Sequence, residues 1–82
     1  MSQPQIVMYT RPGCSDVARA SYWMRRKGLT WDEIDIEQDA QALEKVKAWT
    51  GREATPTLWI GETMLVEPDE AEIDAALAKE SQ

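Results

Sequence analysis

The chain has 82 residues, which predicts a single domain spanning residues 1–82. It contains one cysteine, Cys14, and no histidine. An internal disulfide is therefore impossible, and imidazole-dependent catalysis and histidine-ligated zinc are excluded. The net charge of −6 and the pI near 4.5 argue against a nucleic-acid-binding protein, because such proteins usually present a basic face.

The charges are unevenly distributed along the chain. Residues 1–30 contain five basic residues and one acidic residue, a balance of +4. Residues 31–82 contain four basic and fourteen acidic residues, a balance of −10, so the only thiol lies in the basic segment. No secretory segment precedes it, and no apolar run approaches the length of a membrane span. We therefore expect no membrane partner and a reduced thiol in the cytoplasm.

The first half of the chain predicts a strand, a helix and a second strand. Ile6–Tyr9 is a short apolar run between prolines, which is typical of a buried strand. The next segment predicts a helix capped by Ser15 or Asp16 and ended by Gly28. One face of that helix carries the buried stripe Val17, Ala20, Ser21 and Met24. Trp31–Ile36 alternates in polarity and predicts a strand with one solvated side.

The second half predicts a helix, a hairpin and a final helix. Asp39 caps a helix over residues 40–50 that ends at Gly51. Its inward face is expected to hold Ala42, Leu43, Val46 and Trp49. Two β-prone runs, Thr57–Ile60 and Thr63–Val66, then flank a short turn and predict an antiparallel pair.

The turn and the last helix have specific signals. Gly61-Glu62 is the Gly-X pair of a type II′ hairpin, and Asp69 with Glu72 forms a capping box for the helix that begins after Pro68. The element order is therefore β-α-β-α-β-β-α. The fold class is α/β, with a four-stranded mixed sheet flanked by three helices.

Cys14 lies where the first strand joins the first helix. The amide groups and positive dipole end of a helix N-terminus favour a thiolate, and Arg11 adds a cation three residues earlier. A thiolate is the nucleophile of thiol–disulfide exchange. A lone cysteine is also compatible with a buried structural role, and Arg11 with a solvated loop charge. The polar, turn-rich loop at residues 10–13 favours an accessible thiol.

Several segments together resemble the glutaredoxins, the small thioredoxin-fold redox family. The resemblance is carried by Tyr9–Cys14, which is similar to the entrance of the family's active site, by Trp31–Ile36, by Gly51-Arg52, and by Thr55–Leu58, which is similar to its cis-proline segment. Leu65–Pro68 resembles the ending of small actinobacterial-type relatives, the mycoredoxins. The resemblance covers about residues 5–78 and implies a thioredoxin-like fold. An arsenate-reductase-like branch shares the entrance, but this chain is too short for its inserted helices.

The resemblance also implies a ligand site. Composition alone favours a trans bond before Pro56, since cis bonds are about 5–6% of such bonds, whereas the resemblance implies a cis bond. Thr55 is then expected to hydrogen-bond the cysteinyl part of a thiol peptide, with Arg11 and Arg52 near its carboxylate and Asp69 near its amino end. The implied cosubstrate is a low-molecular-weight thiol, glutathione or mycothiol. No metal or tightly bound cofactor is expected, and the partners are thiolated proteins met by a monomer.

The sequence departs from the family at the resolving position, where Val17 follows Cys14-Ser15-Asp16. A dithiol mechanism is excluded, which leaves a monothiol cycle on mixed disulfides. The carboxylate of Asp16 opposes thiolate formation, although the expected pKa of Cys14 is still below that of a free cysteine. The family's Gly-Gly before the last helix is replaced by residues 66–68, which weakens the expectation of a standard glutathione site.

Two other functions fit these departures. Val17 and the four tryptophans suit a non-catalytic thioredoxin-fold binding module, although packing in a chain without phenylalanine explains the tryptophans equally well. A single cysteine also suits an iron–sulfur cluster bridged between two protomers. The segment after Cys14 lacks the Gly-Phe-Ser sequence of the branch known for such clusters, so this alternative ranks last.

Overall fold

The computed structural model describes residues 3–81 of the chain. The elements follow the predicted order, β1 (Ile6–Thr10), α1 (Ser15–Arg26), β2 (Asp32–Asp35), α2 (Ala40–Thr50), β3 (Thr57–Ile60), β4 (Thr63–Val66) and α3 (Glu70–Glu80). The strands form one sheet in the order β2-β1-β3-β4. Strand β1 runs parallel to β2 and antiparallel to β3, and β4 runs antiparallel to β3, so the mixed sheet with three helices is confirmed.

The register of the central strands brings distant segments together. Tyr9 pairs with Thr57 across β1 and β3, and Thr10 pairs with Asp35 across β1 and β2. The loop that follows β1 therefore lies between the segment entering β3 and the end of β2. This position at the carboxyl end of a parallel strand is where α/β proteins commonly place their sites.

The helices cover both faces of the sheet. Alternate residues of β1 and β3 point to opposite faces, as the pleat requires. One face packs against α1 and α3 through a cluster that contains Ile6, Met8, Ala20, Met24, Leu58, Ile60, Ile73 and Ala76. The other face packs against α2 through Tyr9, Ile36, Ala42 and Val46. The central strands are therefore packed on both faces by a hydrophobic cluster.

Helix ends and turns follow the expected chemistry in most places. Asp39 accepts a hydrogen bond from the amide of Ala42 at 3.0 Å, and Asp69 and Glu72 form the reciprocal capping box. In the β3–β4 turn Gly61 has φ 58° whereas the φ of Glu62 is not positive, as a type II′ turn requires. Within residues 3–81 no helix has the length and apolarity needed to cross a membrane.

Three local expectations are wrong. Helix α1 is capped by Cys14 rather than by Ser15 or Asp16, and the Cys14 side chain makes no capping hydrogen bond. The second strand is shorter than Trp31–Ile36, since only Asp32–Asp35 is strand. Trp49 is not buried as an inward-facing residue would be but is 38% exposed, because it lies at the rim of the α2 face. There its ring meets the rings of Tyr9 and Trp59 edge-on, with both centroid distances at 5.3 Å.

Candidate active site

Cys14 is placed by the junction between β1 and α1. Its backbone is extended, with φ −85° and ψ 118°, and its carbonyl accepts the first helical hydrogen bond from Ala18 at 3.2 Å. The thiol is half-buried and free, at the end of the helix where unpaired amide groups are exposed. The sequence therefore positions the sulfur through the helix start, and not through a loop that could move independently.

Thr55 is the residue that contacts the sulfur from the other side of the cleft. Its hydroxyl donates to Cys14 Sγ at 3.4 Å, and the thiol donates to the Thr55 carbonyl at 3.6 Å. The peptide bond between Thr55 and Pro56 is cis, as the resemblance implies. The sequence pointed to the backbone of Thr55 and not to its hydroxyl, because nothing local indicates which way that side chain points.

These contacts set the acidity of the thiol. Partial burial raises the pKa of Cys14, and the carboxylate of Asp16 raises it further. The Thr55 hydroxyl and the backbone amides of Val17 and Asp16 lower it and outweigh both. The net pKa of Cys14 is lower than the usual thiol value, which favours the nucleophilic thiolate.

Arg11 does not appear among the groups that lower this pKa. Its guanidinium instead forms ion pairs with Glu53 at 2.9 Å and with Glu37 at 3.5 Å. The thiolate-stabilising effect expected from its sequence position is supplied by Thr55 and the helix amides. The position of Arg11 three residues before the thiol does not reveal these partners, because Glu37 and Glu53 come from other parts of the chain.

The other residues of the implied ligand site are also engaged. Arg52 pairs with Glu67, and the amide of Glu67 donates to the carbonyl of Pro56 at 2.9 Å, which ties the end of β4 to the segment before β3. The carboxylate of Asp69 accepts from the amide of Glu72 at 2.8 Å as the cap of α3. Their roles toward a thiol ligand stay predictions.

A cavity of about 510 Å³ opens beside the thiol. It is lined by residues 10–15, Val17, Ala18, Glu33 and Asp35. The last two residues were missed by the sequence reasoning, which treated β2 only as a strand with a solvated side. Their signal is the parallel pairing of β2 with β1, which places the end of β2 beside the end of β1.

Comparisons with known proteins agree with this geometry. The family model described as Glutaredoxin matches residues 6–65, which is more than half of the chain. The glutaredoxin of Pseudomonas aeruginosa is 32% identical over 60 residues, which are 73% of this chain and 71% of that protein. The solution structure of a glutaredoxin from Brucella melitensis is similar with a TM-score of 0.76 and 28% identity, and covers 99% of this chain and 89% of its own.

A longer relative shares the same region. The hybrid peroxiredoxin hyPrx5 of Haemophilus influenzae is 37% identical over 59 residues, which are 72% of this chain and only 24% of that protein. The sheet order, the three helices and these similarities confirm the thioredoxin-like fold. The similarity to actinobacterial relatives stays a prediction. With a matched family model and a relative above 30% identity, the chain belongs to the glutaredoxin family.

Proposed function

We propose that the chain is a monothiol thiol–disulfide oxidoreductase that acts through Cys14 on mixed disulfides of a low-molecular-weight thiol. Membership of the glutaredoxin family supports the general redox activity. The observation that carries the proposal is the position of Cys14 at the start of α1, where the Thr55 hydroxyl donates to its sulfur at 3.4 Å. These contacts lower the pKa of Cys14. A cysteine kept only for packing has no need of such contacts.

The first step is an attack on the mixed disulfide. The Cys14 thiolate attacks the sulfur of the small thiol, a new disulfide forms between Cys14 and that thiol, and the bond to the substrate protein breaks. The substrate leaves as a thiolate and takes a proton from solvent. The Thr55 hydroxyl and the α1 amides stabilise the Cys14 thiolate before the attack.

The second step needs another molecule of the small thiol. The only cysteine of the chain is already in the mixed disulfide, so no internal thiol can resolve it. The thiolate of a second small thiol attacks the sulfur of the small thiol bound to Cys14, a disulfide of the two small thiols forms, and Cys14 leaves as the restored thiolate. Val17 at the resolving position therefore restricts the chain to the monothiol route.

The proposal also includes the surroundings of the reaction. Glutathione or mycothiol serves as cosubstrate, thiolated proteins are the substrates, and the protein acts as a monomer in the cytoplasm without a metal or a tightly bound cofactor. Thr55 and Pro56 form the wall on which the thiol ligand lies opposite the sulfur. The contact of Thr55 with Cys14 supports this placement.

The test is turnover of peptides modified with glutathione or mycothiol, each with its own thiol as the reductant. We expect the wild type to release the free peptide catalytically and Cys14→Ser to show only the background rate. Serine is a favoured helix cap, so this variant keeps the start of α1. Equal rates for the two proteins would contradict the proposal and favour the binding module.

A further inference from the structure

We infer that the cavity beside Cys14 selects neutral or positively charged disulfides over anionic ones. The inference rests on the proposed exchange reaction at Cys14 and names the class of thiol that this site prefers. It concerns the charge of the group that Cys14 takes up, and it follows from the charged residues that surround the thiol.

The cation nearest to Cys14 in sequence is already paired. Arg11 is the only basic residue among those that line the cavity of the described chain. Its guanidinium lies between the carboxylates of Glu53 and Glu37, at 2.9 and 3.5 Å. An anionic ligand must share this guanidinium with two carboxylates of the chain, so its net gain from an ion pair is small.

The second cation implied for ligand binding is also paired with a carboxylate of the chain. Arg52 forms an ion pair with Glu67, the residue that is bonded to the carbonyl of Pro56. The two arginines expected to receive a ligand carboxylate thus have three carboxylates of the chain as partners. The local balance of charge around them is negative before any ligand arrives.

The wall of the cavity that β2 supplies is acidic. Glu33 and Asp35 both line the cavity, and both carboxylates are held by other groups. The Trp31 indole donates to Glu33 Oε1 at 3.1 Å, and the amide of Glu37 donates to Asp35 Oδ1 at 2.8 Å. A cationic group of a disulfide gains attraction here, a neutral group loses nothing, and an anionic group meets repulsion.

The negative charge of the cavity wall attracts or repels a disulfide as it approaches Cys14. In the exchange step the Cys14 thiolate bonds to one sulfur of the disulfide, and the other sulfur leaves as a thiolate. Glutathione carries more carboxylates than ammonium groups, so its disulfides are anionic, whereas a thiol without ionised groups forms neutral disulfides. The negative charge around the cavity therefore favours thiols whose disulfides carry no net negative charge.

The experiment measures single-turnover oxidation of Cys14 by three small symmetrical disulfides, cationic cystamine, neutral hydroxyethyl disulfide and anionic dithiodipropionate. Each rate is divided by that of the neutral thiol mercaptoethanol with the same disulfide, which removes differences in intrinsic reactivity. We expect the normalised ratio of cystamine to dithiodipropionate to be about tenfold at low salt. It should decrease toward one in high salt, where the Debye length is only about 3 Å at 1 M.

Matched variants locate the effect. Glu33→Gln with Asp35→Asn keeps the hydrogen-bond acceptors but removes two charges from the cavity, and should lower the ratio at least threefold. Glu44→Gln with Glu62→Gln removes two charges from the exposed side of α2 and from the β3–β4 turn, and should leave the ratio near that of the wild type. Because the ratio compares two substrates of one protein, a change in the thiolate fraction of Cys14 cancels.

Different results identify different failures. A ratio near one at low salt, a ratio insensitive to salt, or equal effects of the two double variants would overturn the charge preference while leaving exchange at Cys14 intact. The salt series needs only the wild type, so the inference stays testable if the cavity variant does not fold. No oxidation of Cys14 by any disulfide would instead overturn the proposed function itself.

Discussion

Thr55 interacts with the sulfur of Cys14 through two groups that favour different protonation states. The carbonyl accepts from the thiol at 3.6 Å, and the hydroxyl donates to the sulfur at 3.4 Å. Only the hydroxyl bond gains strength when the sulfur becomes negative, since a hydrogen bond to a charged acceptor is stronger than one to a neutral acceptor. The Thr55 side chain therefore couples the entrance of β3 to the reactivity of the thiol.

The variant Thr55→Val tests this coupling because it keeps the shape and the backbone but loses the hydroxyl. Burial then continues to raise the pKa of Cys14 without the opposing side-chain bond, so the pKa increases. The thiolate fraction at neutral pH decreases, and oxidation by hydroxyethyl disulfide becomes several-fold slower. The pKa is measured from the ultraviolet absorbance of the thiolate as the pH is raised.

Thr63→Val is the control for that experiment. It makes the same chemical change in β4, where the hydroxyl donates to Glu80 at 2.7 Å and not to Cys14. The pKa of Cys14 in this variant should equal the pKa of Cys14 in the wild type. A Thr55→Val protein whose thiol titrates at or below the wild-type pH would show that the hydroxyl does not stabilise the thiolate.

Among the elements, the link between β4 and α3 has an unusual backbone. Glu67 has φ 49°, in the left-handed region that glycine adopts readily and other residues do not. It occupies the stretch where the family has Gly-Gly. In this chain the glutamate accepts that conformation while its carboxylate pairs with Arg52 and its amide bonds to Pro56.

The variants Glu67→Gly and Glu67→Ala separate conformation from charge. Both lose the carboxylate, but only glycine removes the cost of the left-handed backbone, which is about 1–2 kcal/mol for other residues. We therefore expect the glycine variant to have a free energy of unfolding about 1 kcal/mol above that of the alanine variant. Urea unfolding of the two proteins measures the difference, and an alanine variant as stable as the glycine variant would contradict this account.

Most elements were predictable from the sequence because their signals are local. The capping box of Asp69 and Glu72, the cap at Asp39 and the Gly61 turn each use residues that are neighbours along the chain. The start of α1 was predicted wrongly for a related reason. Ser15 and Asp16 have the side chains of good caps, but the chain remains extended only up to Cys14, so the helix starts one residue earlier than a Ser15 cap would place it.

At the scale of the whole molecule, folding mixes the two oppositely charged parts of the sequence. Lys27 at the end of α1 forms ion pairs with Asp74 at 2.8 Å and with Glu70 at 3.1 Å in α3. Arg11 likewise pairs with acidic residues of the second part. The basic segment that holds the thiol in the sequence therefore becomes a surface with mixed charge in the fold.

This mixing explains which features of the site the sequence could not reveal. The position of Cys14 follows from its place between a strand and a helix, and the cis bond before Pro56 follows from the family resemblance. The partners of Arg11 and the acidic wall of Glu33 and Asp35 depend instead on strand order and register. Charge counted along the chain puts the thiol in a basic segment, whereas the fold brings carboxylates to it.

The central claim is that Cys14 is an activated nucleophile, and the pH dependence of its alkylation tests this most directly. The rate of reaction with iodoacetamide is measured across pH for the folded protein and for a short unstructured peptide containing residues 11–17. We predict that the protein reaches its half-maximal rate at a lower pH than the peptide, because Thr55 and the α1 amides lower the pKa of Cys14. A protein profile that coincides with the peptide profile or lies at higher pH would contradict the account.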